Sequence, residues 1–218
     1  EGLKGTGSKD IKVVDTFVPE HRTVKALELG GNNPPGSELH ESYIYRVEMG
    51  MYFNTLLSGP ILGATHGVLL EYLEQTRSRF GSMFGERVSE QAPVQQKIGA
   101  SYEELRTSDL IIDDLCNYLH EQGQAGNSIL GDDRLKIRRE TAMAAQLCLK
   151  SGTRLSGMMG VTAQTGRNPA QRMFRDLRTM STHGAIHWDN ATTPTGSYLL
   201  GIETGDPLID ENNEFLNT

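Results

Sequence analysis

Apolar residues recur at helical spacing along most of this chain, and the recurrence predicts its architecture. After Pro60, which suits a first helical turn, Leu62, Leu69, Leu73, Thr76 and Phe80 share one side of a helix. Over 93–121, Val94, Ile98, Leu105, Ile112, Leu115 and Leu119 do the same. Over 133–159 the inner line reads Ile137, Thr141, Ala144, Cys148, Gly152, Leu155 and Met159. That line is small in its middle, which lets a neighbouring helix or a flat ligand come close. Asp132 or Asp133 is placed to cap its start. A helix over 42–57 precedes these three. A fifth begins at "RNPAQ" and carries "RDLRTMSTHGAIHWD", Arg175 to Asp189. The tail from about 190 reads as loop.

The pattern changes only near the start. Residues 11–18 are rich in β-branched side chains and end at Pro19, which cannot donate to a ladder, so they predict a strand. One strand needs partners, and no second strand follows. It therefore pairs with another chain, or this chain is the C-terminal part of a longer one, the reading favoured here. Residues 29–38, "LGGNNPPGSE", break regular structure. The predicted fold is mainly α: an up-and-down bundle over 38–218, preceded over 1–37 by a remnant strand and linker.

Composition adds limits. With 37% hydrophobic and 22% charged residues, the 218-residue chain is an ordinary globular one. A net charge of −7 disfavours nonspecific nucleic-acid binding. No apolar run reaches the roughly 18 residues that span a bilayer, and the expected location is cytoplasmic. Cys116 and Cys148, both in helical patterns, are too few and too far apart for a disulfide framework or zinc site and read as core thiols.

Three stretches carry chemistry. In the last helix Asp176, His183 and His187 fall at i, i+7 and i+11, one face, with Arg172 and Arg175 on preceding turns. Two histidines at i, i+4 have metal-ligand spacing, yet no third ligand stands nearby, so no metal is expected. Imidazole suits proton transfer near neutral pH, and either histidine could instead cap or bond within the bundle. In "YLEQTRSRFG", Arg77 and Arg79 close a helix, where cations suit the dipole; a guanidinium there could also hold a phosphate or a flavin edge. "GTGSKD", from Gly5 to Asp10, is a glycine loop before the strand. It is followed by no helix and is not a dinucleotide fingerprint.

Taken in order, "GTGSKDIKVVDTFVPEHR", "YLEQTRSRFG" and "NPAQRMFRDLRTMSTHGAIHWD" resemble the acyl-CoA dehydrogenase superfamily. The similarity is closest to the oxygenase components of two-component flavin-dependent monooxygenases. It runs from Gly5 to about Asp189. It implies that 1–37 end a middle β domain and that the remainder is the C-terminal helical bundle. Dehydrogenases of this kind commonly carry a catalytic glutamate after the "RD" of the last helix. Here that place is Gly184, which cannot abstract a proton, and His183 stands just before it. The resemblance therefore implies His183 as the catalytic group, which deprotonates or orients a phenolic or related substrate or protects a flavin C4a-hydroperoxide. His187 is the second candidate and Trp188 a substrate contact. It implies reduced FMN or FAD near Arg77, Arg79 and Phe80, across a subunit interface. It also implies a separate flavin reductase and assembly as a homotetramer. Gln91, Gln95 and Gln96 follow Arg77 later than the glutamine that helps dehydrogenases hold FAD. The alternatives are an acyl-CoA dehydrogenase-like flavoprotein and an inactive assembly fragment.

Overall fold

The computed structural model describes all residues except 1, 26, 27, 29, 30, 83, 84, 217 and 218. The helices are α1 (Met49–Leu56), α2 (Ser58–Ser78), α3 (Ala92–Ala125), α4 (Gly131–Met158), α5 (Pro169–Met180), α6 (Trp188–Leu199) and a single turn, α7 (Pro207–Asp210). The described residues hold no strand, only an isolated bridge between Phe80 and Arg87.

The buried helix α4 is the axis of the bundle, in contact with α1, α2, α3, α5, α6 and α7. Its predicted inner line is buried throughout, from Ile137 to Met159. The small middle serves helix packing. Ser151 Oγ donates to the Ser101 carbonyl and Ser108 Oγ to the Ala144 carbonyl, tying α3 to α4 where the side chains are short. On the other side, a Cβ at Gly152 would lie 2.5 Å from Leu177 Cδ2 of α5. The turn between α3 and α4 starts at Gly126, whose φ of 71° closes α3 with a left-handed cap. Its N–H and that of Asn127 reach back to carbonyls of the last turn.

Several expectations need correction. Residues 11–18 form no strand: their side chains are exposed, and with no second strand among the described residues there is no ladder to join. The helix predicted over 42–57 begins only at Met49, after a 3-10 turn at Tyr43–Tyr45. Glu48 is drawn away from helical geometry (ψ 110°) because its carboxylate grips Arg134 of α4. Neither Asp132 nor Asp133 caps α4; the N-cap is Leu130, and Asp132 pairs with Arg139 instead. Cys148 is a core thiol, but Cys116 is exposed. The fifth helix stops at Met180, where Ser181 Oγ bonds back to the Leu177 carbonyl. The tail read as loop contains α6, which buries Ala191 and Tyr198 beside α4 despite Pro194 in its middle. Packing there outweighs the weak local propensity. Residues 29 and 30 of the predicted loop lie outside the described residues.

Candidate active site

The stretch after α5 is a chain of tight turns. The His183 N–H donates to the Met180 carbonyl and the Ile186 N–H to the His183 carbonyl, while the Ile186 side chain is buried as the anchor. His183 is thereby held at the surface with its ring 6.4 Å from that of Phe53 on α1. The Ala185 backbone N–H donates to His183 Nδ1 at 3.2 Å. Nδ1 then serves as acceptor, so the neutral ring carries its proton on Nε2 and turns a donor outward. Gly184 is exposed, and its carbonyl accepts from Asn190.

His187 is the exposed N-cap residue of α6 but makes no side-chain capping bond. Trp188 opens α6 and is half-buried. The single face predicted for Asp176, His183 and His187 does not exist. Asp176 is on α5, and both histidines lie beyond its end, so helical register is lost between them. Asp176 Oδ1 instead accepts the Leu3 N–H at 2.6 Å, which lays the start of the glycine loop on α5. Among the described residues no cluster of three metal-ligating side chains occurs.

The arginine motif sits elsewhere. Arg79 Nη1 donates to the carbonyls of Met158 and Met159, each at 3.0 Å, and so caps α4. The expected helix-end role is thus real, but the helix served is a neighbour. Arg77 is exposed and, among the described residues, pairs with Glu74, one turn back. Phe80 falls past the end of α2 and is 57% exposed, with the Arg87 guanidinium 5.6 Å from its ring centre. Arg79 and Phe80 border an open cleft of about 520 Å³ that also takes in Tyr72, Val88, Gln91 and Met158.

These two halves are far apart. Phe53, beside His183, is on α1, which leads into α2, and Met180 borders one cleft with Pro60 and Ala64 at the start of α2, whereas Arg79 follows the end of α2. A helix of 21 residues at about 1.5 Å per residue separates them by roughly 30 Å. The structure brings Arg79 and Phe80 together, and His183 with Phe53, but not the two groups with each other in one copy.

The protein-family description "Acyl-CoA dehydrogenase, C-terminal domain" matches residues 55–188, which run from α1 to the start of α6. The chain belongs to this family. Within it, the chain is 28% identical over 209 residues to "Pigment production hydroxylase" of Rhodococcus sp. (strain ATCC 21145), covering 95% of this chain and 53% of that protein. It is 27% identical over 216 residues to "Flavin-dependent monooxygenase, oxygenase subunit HsaA" of Rhodococcus jostii (strain RHA1), covering 95% and 55%. The crystal structure of 3-HSA hydroxylase from Rhodococcus sp. RHA1 superposes with a TM-score of 0.82 at 25% identity, covering 95% of this chain and 54% of that one. The chain thus spans about half the length of the relatives it matches. The family bundle is the fold implied by the three ordered motifs. Sequence reasoning missed Phe53 and the Ala185 N–H: contact across α1 leaves no periodic signal, and a backbone donor leaves none at all.

Proposed function

We propose that this chain is the C-terminal bundle of the oxygenase component of a reduced-flavin-dependent monooxygenase that hydroxylates an aromatic or related small substrate. One observation carries the reading: a histidine, held by its own turn and facing outward, stands beside Gly184 where dehydrogenases of this kind carry a carboxylate base. Relatives named as hydroxylases and flavin-dependent monooxygenases, matched along nearly the whole chain, support it. A dehydrogenase reading finds no side chain at Gly184 to take a proton.

In this reading the cofactor is reduced FMN or FAD, delivered by a separate flavin reductase. Bound flavin supplies the chemistry that activates O₂ and yields the oxygen atom inserted into the substrate. The residues at the end of α2 fit a flat aromatic group: Phe80 offers an exposed ring at the edge of a cleft, and Arg77 keeps its guanidinium at the surface. Arg79 positions this wall by fastening it to the end of α4. His183 donates a hydrogen bond from Nε2 to the substrate or the oxygen being transferred, and Ala185 fixes that tautomer. His187 is the second candidate donor, and Trp188 contributes an apolar edge toward substrate.

Because the two halves lie at opposite ends of α2, a complete site combines the Arg77–Phe80 end of one copy with the His183 end of another. Assembly as a homotetramer meets that need. Residues 1–37 are read as the edge of a β domain and 38–218 as the bundle. No described helix is long and apolar enough to cross a membrane, and we place the protein in the cytoplasm.

The test is anaerobic titration of the protein with reduced FMN and reduced FAD, followed by an oxygen pulse and stopped-flow absorbance. Binding of one of them, and a transient band that free flavin lacks, supports the reading. Absence of binding would overturn the placement of a flavin site on this bundle.

A further inference from the structure

The arginines of α5 have no part in the roles above. Arg172, Arg175 and Arg178 recur every third residue, so each neighbouring pair shares a face and Arg175 stands between the other two. Arg172 and Arg175 share with Lys4 and Asp176 a cleft of about 540 Å³ between the start of α2, α5 and the Leu3–Gly5 backbone. Arg175 also borders a second cleft of about 300 Å³ with Arg178, Thr179 and Thr182. Among the described residues no carboxylate pairs with any of these three arginines. Arg178 only approaches the ring of Phe174. The one acid in the larger cleft, Asp176, has an oxygen occupied by the Leu3 N–H. The cleft is therefore cationic, three positive groups to one negative, within a chain of net charge −7.

Arg175 Nε is buried and, among the described residues, has no hydrogen-bond partner. A buried donor left unmade is costly, more so on a charged group. Arg134 Nε is also buried without a hydrogen bond, but that guanidinium meets Glu48 at 2.6 Å and stands 3.4 Å from Asp206, whereas no carboxylate among the described residues pairs with Arg175. The planar fork of arginine matches the two oxygens of a carboxylate or a phosphate.

We infer that this cleft binds an oxyanion, a phosphate or carboxylate group, held by Arg172, Arg175 and Lys4. A ligand anchored there extends past Thr179 and Thr182 toward His183. If His183 acts as proposed above, the anion is the tail of a ligand whose other end is presented to it. The binding site itself does not depend on that reading.

Inorganic phosphate titrated into the protein, followed by NMR of the arginine Nε–Hε resonances, tests it. The expected result is saturable movement of the Arg175 signal. Binding should weaken at least tenfold in Arg172→Gln, an exposed position whose change leaves the fold alone, and be unaffected in Arg106→Gln on α3. Arg175→Lys, which keeps the charge but loses the fork, should weaken it less than Arg175→Gln. Two pairs of probes then identify the source. FMN held tighter than riboflavin, with the gap closed by Arg172→Gln, assigns a flavin phosphate. 4-Hydroxybenzoate held tighter than phenol, with the same closure, assigns a substrate carboxylate. Absence of saturable phosphate binding, or titrations of Arg172→Gln and Arg175→Gln that match the unchanged protein, would overturn the inference.

Discussion

Arg134 and Glu48 meet in a two-point ion pair of 2.6 and 2.9 Å with both residues buried. Arg134 Nη1 also donates to the Ile129 carbonyl, and Nε stands 3.4 Å from Asp206. This one guanidinium fastens the start of α1, the α3–α4 turn and the C-terminal segment. Removing one partner strands a buried charge, which typically costs about 3–5 kcal/mol. Arg134→Met and Glu48→Met should each lower the denaturation midpoint strongly in chemical unfolding. The double variant should lose less than the two losses added together.

Gly152 sits where α4 and α5 touch. An added Cβ would come 2.5 Å from Leu177 Cδ2, inside the fully buried core. Gly152→Ala should destabilise by about 1–3 kcal/mol, as overpacking does, although alanine favours helix. Adding Leu177→Ala should recover part of the methyl clash while introducing a cavity. A double-mutant cycle in urea would show the coupling, and strictly additive effects would contradict the contact.

Glu104 on α3 accepts two bonds from Arg154, at 2.6 and 2.8 Å, and pairs with Lys150 at 2.9 Å. Hydrogen bonds from Arg154 hold its carboxyl below the ordinary glutamate value of 4.5; burial opposes them, and Lys150 adds to the lowering. A depressed carboxyl stabilises the fold above its ordinary value, and the gain fades as pH falls through the lowered one. Unfolding curves taken from about pH 6 down to about pH 3 should therefore show a steeper acid loss in the unchanged protein than in Glu104→Gln. Parallel curves would show that the α3–α4 bridge adds nothing.

Ala185 N–H fixes the His183 ring through Nδ1. In ¹⁵N spectra of the neutral ring, His183 should carry its proton on Nε2. Ala185→Pro deletes the donor and should let both tautomers populate without unfolding the bundle. If the proposed role of His183 holds, His183→Ala in the full-length protein should lower the rate of hydroxylated product formation about 100-fold, the usual scale for a lost donor at a reacting centre. Ala185→Pro should fall between the two. A His183→Ala protein that forms product at the full rate would remove His183 from the chemistry.

The long helices were readable because their burial is periodic. The inner line of α4 from Ile137 to Met159 is apolar or small at every helical step, and the structure buries all of it. Events that depend on a distant partner were not readable. Glu48 looks like one more residue of a helix until Arg134, far along the chain, pulls it out of register. The 188–199 segment, with two adjacent threonines and a proline, looks like loop until α4 offers Ala191 and Tyr198 somewhere to go. For the proposed site, residue type singles out the two histidines, and the resemblance carried by the ordered motifs implies His183, Arg77 and Phe80. That the two ends stand one long helix apart is a property of the assembled bundle, and no short window of sequence contains it.

The separation of Arg77 and His183 along α2 also shapes how damage to this protein would be inherited. If each complete site draws its two ends from different copies, a copy broken at Arg77 still carries a sound histidine end. A copy broken at His183 still carries a sound arginine end. A cell holding one allele of each kind would assemble some intact sites from two individually inactive products, so the alleles would complement. Two alleles damaged at the same end never could.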